Sequence, residues 1–149
     1  MSSQIQYQFP TMIRVGADYF ALERTTLRFG RFDPASGQFT PIGTTPLPCC
    51  GSFGLAYDGR MVFTARQGGG VVIATIDPVT GEPGTLVPIT GAPTLHVEEL
   101  RFFAGRLYAS SRDGTLVTID PSTGATSVVP VPIGRVHAME LFEPRPAQP

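Results

Sequence analysis

Apolar positions in this chain come in short β-branched and aromatic runs, separated by Gly, Pro and Asp. Strand-like runs recur in a fixed order. Met12-Ile13-Arg14-Val15, Gly54-Leu55-Ala56-Tyr57 and Glu99-Leu100-Arg101-Phe102-Phe103 form a first set. A second set starts near a glycine, at Gly16–Leu22, Gly59–Ala65 and Gly105–Ser110. The third set is Thr26–Phe29, Val71–Ile76 and Thr115–Ile119, and the fourth is Gln38–Ile42, Thr85–Ile89 and Ser127–Val131. Runs of this length and composition, bounded by turn residues, predict strands. A further segment, Gln4-Ile5-Gln6-Tyr7-Gln8-Phe9, alternates with the period of two that a strand requires.

Between the third and fourth runs the chain repeats one word: Asp33-Pro34-Ala35-Ser36-Gly37, Asp77-Pro78-Val79-Thr80-Gly81 and Asp120-Pro121-Ser122-Thr123-Gly124, spaced 44 and 43 residues apart. Asp accepts hydrogen bonds from backbone groups just downstream. Pro presets φ at the second turn position, and Gly takes a positive φ where the chain re-enters a strand. The word therefore predicts a tight hairpin link. Pro recurs in the fourth run, which fits an outer edge strand because Pro cannot donate to a ladder. Four antiparallel strands per ~40–45 residues is the signature of a propeller blade.

At these residues the chain resembles the broad family of bacterial β-propeller repeats, whose blades carry I-D-P-x-T-G and D-G-x-L-Y patterns. Asp58-Gly59-Arg60-Met61-Val62-Phe63 and Ala104-Gly105-Arg106-Leu107-Tyr108 match the second pattern, and Gly16-Ala17-Asp18-Tyr19-Phe20 matches it loosely. The resemblance spans roughly residues 12 to 142. It implies the fold and leaves function open, since binders, scaffolds and several enzyme classes share this architecture.

The expected fold class is all-β: a β-propeller segment of three four-stranded antiparallel blades that closes into a ring by oligomerisation. One domain is expected over 1–149, with blade repeats at approximately 12–53, 54–98 and 99–136. Spare strands fall at 4–9 and 137–142, and a Pro-rich tail at 143–149. Propellers have ~4–8 blades, so three blades leave two blade faces in need of a neighbour. A homodimer supplies six; a trimer would supply nine. A fragment of a longer propeller and a partner subunit that adds the missing blades are the competing explanations. His137–Phe142 is a candidate innermost strand for a neighbour's blade.

Net charge is −1, there is no Lys, and the 11 Arg residues are scattered, so neither nucleic acid nor a membrane surface is an expected partner. No stretch is long enough to span a bilayer. Met1-Ser2-Ser3-Gln4 lacks the start of a signal peptide. Cytoplasmic placement is expected, with a periplasmic one left open.

Four groups of residues are candidates for chemistry. Arg66 and Arg112 end the second strands of two blades, with Glu23-Arg24 at that place in the first; a row of Arg attracts an anion, or is simply a set of solvated strand ends. Gly68 and Gly69, in the Gln67–Gly70 link, let a ligand approach the backbone, or merely make a flexible hairpin. His96 and His137 occupy matching repeat positions, with Glu99 and Glu140 nearby, and this donor set suits zinc or another transition metal. The bland alternative is that each His bonds a backbone carbonyl in its loop. Cys49-Cys50 is either two reduced thiols, a vicinal disulfide, or a metal or inter-chain site; a single Cys pair is a weak zinc signal. No nucleophile motif appears.

The expected function is a non-enzymatic binding or scaffold module, built as a self-assembling half-propeller with its ligand or protein partner on the top face and no cofactor. The alternative is a metal-binding protein or metal-dependent enzyme with a His/Glu site near the central channel.

Overall fold

The computed structural model describes residues 8–48, 54–91 and 95–130. Twelve strands are named among them: β1 (Thr11–Val15), β2 (Asp18–Glu23), β3 (Arg28–Asp33), β4 (Gln38–Pro41), β5 (Gly54–Tyr57), β6 (Met61–Gln67), β7 (Gly70–Ile76), β8 (Val87–Pro88), β9 (Val97–Phe103), β10 (Arg106–Ser111), β11 (Leu116–Ile119) and β12 (Thr126–Val129). They form three four-stranded sheets in the orders β1-β2-β3-β4, β5-β6-β7-β8 and β9-β10-β11-β12. Every pairing within them is antiparallel. Pro41 and Pro88 lie on edge strands, as their missing N–H demands.

The three Asp-Pro words close as the residue chemistry predicts. In each, the Gly amide donates to the Asp carbonyl at 2.8 Å, and Gly37, Gly81 and Gly124 take φ values of 70°, 72° and 72°. The Asp carboxylates accept from Ala35 N, Val79 N and Ser122 N at 2.9, 2.7 and 2.8 Å. These bonds hold all three carboxyls below their usual range. The Ser36 hydroxyl has the largest effect on Asp33, the Val79 amide on Asp77 and the Ser122 hydroxyl on Asp120.

The sheets meet along their first strands, with β5 beside both β1 and β9. Because side chains alternate along a strand, the middle sheet buries both faces. Leu55, Met61, Phe63, Ala65, Val72, Ala74 and Ile76 pack toward the first sheet, against Phe20, Leu22 and Phe29. Ala56, Val62, Val71 and Ile73 pack toward the third, against Leu100, Leu107, Ala109 and Val117. Leu47 and Leu95, in the links between sheets, close the two seams.

Several strand bounds differ from the sequence expectation. The third strand of the first sheet is Arg28–Asp33 rather than Thr26–Phe29, because Leu27 turns the chain at φ 57°. The outer strand of the second sheet is Val87–Pro88, the shorter core of Thr85–Ile89; ahead of it Ile76 bridges Pro83 and Gly84 N donates to Thr75 O. β9 begins at Val97, ahead of the expected start at Glu99. The spare strand at 4–9 falls mostly, and the strand at 137–142 with its tail wholly, outside the described residues.

Candidate functional site

One end of the three sheets carries the turns between second and third strands. Each turn follows an exposed arginine: Arg24, Arg66 and Arg112. The backbone fixes these positions. Arg24 N donates to Gln8 O at 2.9 Å, and Arg112 N donates to His96 O at 3.0 Å. In both sheets, therefore, the end of the second strand is tied to the chain entering the first strand. Repeat alignment puts Arg66 at the same place, after buried Ala65, as Arg24 follows Glu23 and Arg112 follows Ser111. None of the three arginines is in an ion pair within the described residues.

The turns themselves are built in three ways. Gly68 and Gly69 have φ of 57° and 87°, which is the two-residue type I′ hairpin that joins β6 to β7. In the third sheet Gly114 N donates to Ser111 O at 2.8 Å, and the Asp113 carboxylate accepts Thr115 N at 2.9 Å. That amide, ahead of the Thr115 hydroxyl, lowers the Asp113 carboxyl and commits its charge to the turn. In the first sheet the anchor is Glu23, which the sequence reading named only as a strand-end charge. Its side chain is 3% exposed. It accepts Thr25 N at 2.9 Å, Thr26 N at 2.6 Å and the Thr26 hydroxyl at 2.6 Å. Burial opposes its ionisation, but the Thr26 hydroxyl and the two amides outweigh it and bring the carboxyl down to about 2. The signal in the sequence is a Glu followed at two and three residues by Thr.

The metal candidates are only partly within the described residues. The His96 main chain is committed on both sides, its N–H donating to Ser111 Oγ at 3.2 Å and its carbonyl accepting Arg112 N. Glu99 lies in β9 and pairs with Arg101 at 2.6 Å. No cluster of three or more His, Cys, Asp or Glu side chains forms among the described residues. His137, Glu140, Cys49 and Cys50 lie outside them.

The third sheet carries one unsatisfied group. Ser110 Oγ is buried and has no hydrogen-bond partner among the described residues. Thr64, at the equivalent place in the second sheet, accepts Gly54 N at 2.8 Å. A register shift between Ser110 and Ser111 moves the corresponding role to Ser111.

Clefts lie at the opposite end of the sheets, where sequence reasoning placed nothing. One of about 510 Å³ is lined by Arg60, Phe102, Arg106, Thr118 and the Asp120–Ser122 turn. Another, of about 540 Å³, is lined by Arg60, Met61 and the Asp77–Pro78 turn. In both, the turn aspartate is already bonded within its own hairpin.

No protein-family model matches the chain, and no curated protein matches it by sequence. Solved structures do. Glutaminyl cyclase from Myxococcus xanthus aligns with a TM-score of 0.56 at 22% identity, over 76% of this chain and 48% of that one. The Pan2 WD40 domain of Neurospora crassa aligns with a TM-score of 0.52 at 15% identity, over 76% of this chain and 32% of that one. The fold is that of β-propeller blades. At these identities the likeness is one of fold alone, and the chain spans about half or less of the length of these structures. The three sheets are accordingly blades one, two and three, with β1, β5 and β9 innermost.

Proposed function

We propose that this chain is a non-enzymatic binding module: a half-propeller that completes its ring with a second copy and binds an acidic partner on the arginine rim. The observation that supports this most is the repeated placement of Arg24, Arg66 and Arg112. Backbone bonds to the strand entry fix Arg24 and Arg112, and among the described residues none of the three side chains is neutralised by an ion pair. Arginine at fixed positions offers forked donors to carboxylates. Nearby acids are spoken for: Glu23 and Asp113 are bonded into their own turns. Two copies would present six such arginines around one rim, and the Gly68-Gly69 hairpin beside Arg66 lets a partner approach the backbone.

A labelled oligoglutamate peptide tests this reading. The wild-type chain should bind it, with affinity falling as salt rises, since exposed charges are screened within ~10 Å at 0.1 M salt. R24Q/R66Q/R112Q should weaken binding by at least about tenfold, or 1.4 kcal/mol, with unchanged thermal unfolding. Equal binding by the wild-type and triple-variant chains would overturn the assignment to this rim.

A further inference from the structure

The three Asp-Pro words have one backbone shape but different surroundings. In blade two, Gly81 sits against blade one: a Cβ there would overlap the Ile42 carbonyl oxygen and come within 2.9 Å of Gly43 N. In blade three, Gly124 sits against blade two: a Cβ would overlap the Pro88 carbonyl oxygen and lie 3.2 Å from a Val87 methyl. Polar contacts accompany both. Glu82, next after Gly81, accepts Thr44 N at 3.4 Å and the Thr45 hydroxyl. Thr90 N donates to Gly124 O at 2.9 Å, and Thr126 N to Thr90 O at 3.2 Å. Each word thus plugs onto the end of the preceding blade's outer strand, and both Gly81 and Gly124 are buried.

Gly37 has the same φ and the same closing hydrogen bond, yet it is exposed and has nothing within 4 Å of where a Cβ would be. At the other end of the chain the receptor recurs. The Val87-Pro88 pair that receives Gly124 is repeated as Val129-Pro130 at the end of β12, with Val129 half-buried and Pro130 exposed. Beside it Val128 is 65% exposed. The outward faces that would follow these two elements into contact carry half-buried apolar side chains: Met12, Tyr19 and Phe32 on blade one, Tyr108 and Leu116 on blade three. On blade one, Phe9 packs over part of this face, its ring 5.2 Å from Phe32 and 5.3 Å from Phe39, which is itself buried.

From this we infer that the Asp33–Gly37 turn is the plug for a second copy of this chain, seating on Val129-Pro130 of that copy. Plug and receptor belong to one sequence and sit at opposite ends of one three-blade stack, so the contact is head-to-tail and two such contacts close a ring. The turn is already held in its docked shape by Asp33, so little ordering is lost on binding. The inference rests on the ring-closing part of the proposed function and specifies the contact that closes it.

Gly37→Asn tests it, because Asn tolerates a positive φ while adding a side chain where the plug needs none. Gly16→Asn is the matched control, since Gly16 has φ 62° and nothing within 4 Å. Pro130→Asp tests the receptor side at an exposed position. Light scattering behind a sizing column should show dimers for wild type and G16N. The dimer dissociation constant should rise about tenfold or more, that is by 1.4 kcal/mol or more, for G37N and P130D, with circular dichroism unchanged. If wild type is dimeric and both G37N and P130D dimerise equally well, this contact is wrong and ring closure uses another surface. If wild type is monomeric, the ring-closing reading itself falls.

Discussion

Glu23 shows how much one side chain can hold. Its carboxylate takes three donors from Thr25 and Thr26 in a site almost closed to water. Hydrogen bonds to a charged acceptor contribute about 1.5–3 kcal/mol. The group's folded-state value of about 2 lies below the ordinary 4.5. A depressed carboxyl stabilises the fold above its unfolded value, and that stabilisation is lost as pH falls from about 4.5 through about 2. Glu23→Gln should therefore cost about 2 kcal/mol at neutral pH and much less near pH 2, as read from urea midpoints. An unchanged acid limb in E23Q would remove Glu23 from this role. The sequence marked Glu23 as a charge at a strand end. It did not reveal the burial, because burial depends on how the Thr25–Leu27 turn folds back.

At the scale of the element, the hairpins were legible and the seams were not. The Asp-Pro words carry their turn chemistry within five residues, so Asp, Pro and Gly announced the geometry before any packing was known. The Gly68-Gly69 hairpin was legible for the same reason. Thr26–Phe29 looked like a strand because its residues favour one, but the Glu23 bonds turn the chain at Leu27 and delay β3 to Arg28. The second role of Gly81 and Gly124, as close contacts with the preceding blade, involves partners about 39 and 36 residues away in the chain; local pattern gives no sign of it. This makes a sharp comparison. Gly124→Ala must bear both the left-handed φ and an overlap with Pro88, whereas Gly16→Ala bears the φ alone. Gly16→Ala should cost about 1–2 kcal/mol. Gly124→Ala should cost clearly more, about 3 kcal/mol or above, since overlap with a backbone oxygen forces a shift of the whole strand end. Similar losses in chemical denaturation would show that the seam gives way easily and that the plug contact contributes little.

At the scale of the molecule, among the described residues blade two has a neighbouring sheet on both faces while blades one and three each have one on a single face. Periodicity alone predicted three blades and the shortfall against a ring. The shared repeat position of Arg24, Arg66 and Arg112 was also legible, because the last two recur and the first follows by alignment. The metal alternative relied on the symmetry of His96 and His137, of which only His96, held by its main chain at the strand entry, lies within the described residues. The plug of blade one and the receptor of blade three give the shortfall a physical form. The most direct test of that account is the mass of the intact chain in solution by light scattering. A closed six-blade ring requires twice 15.9 kDa; a particle of 15.9 kDa that persists at high concentration would contradict it.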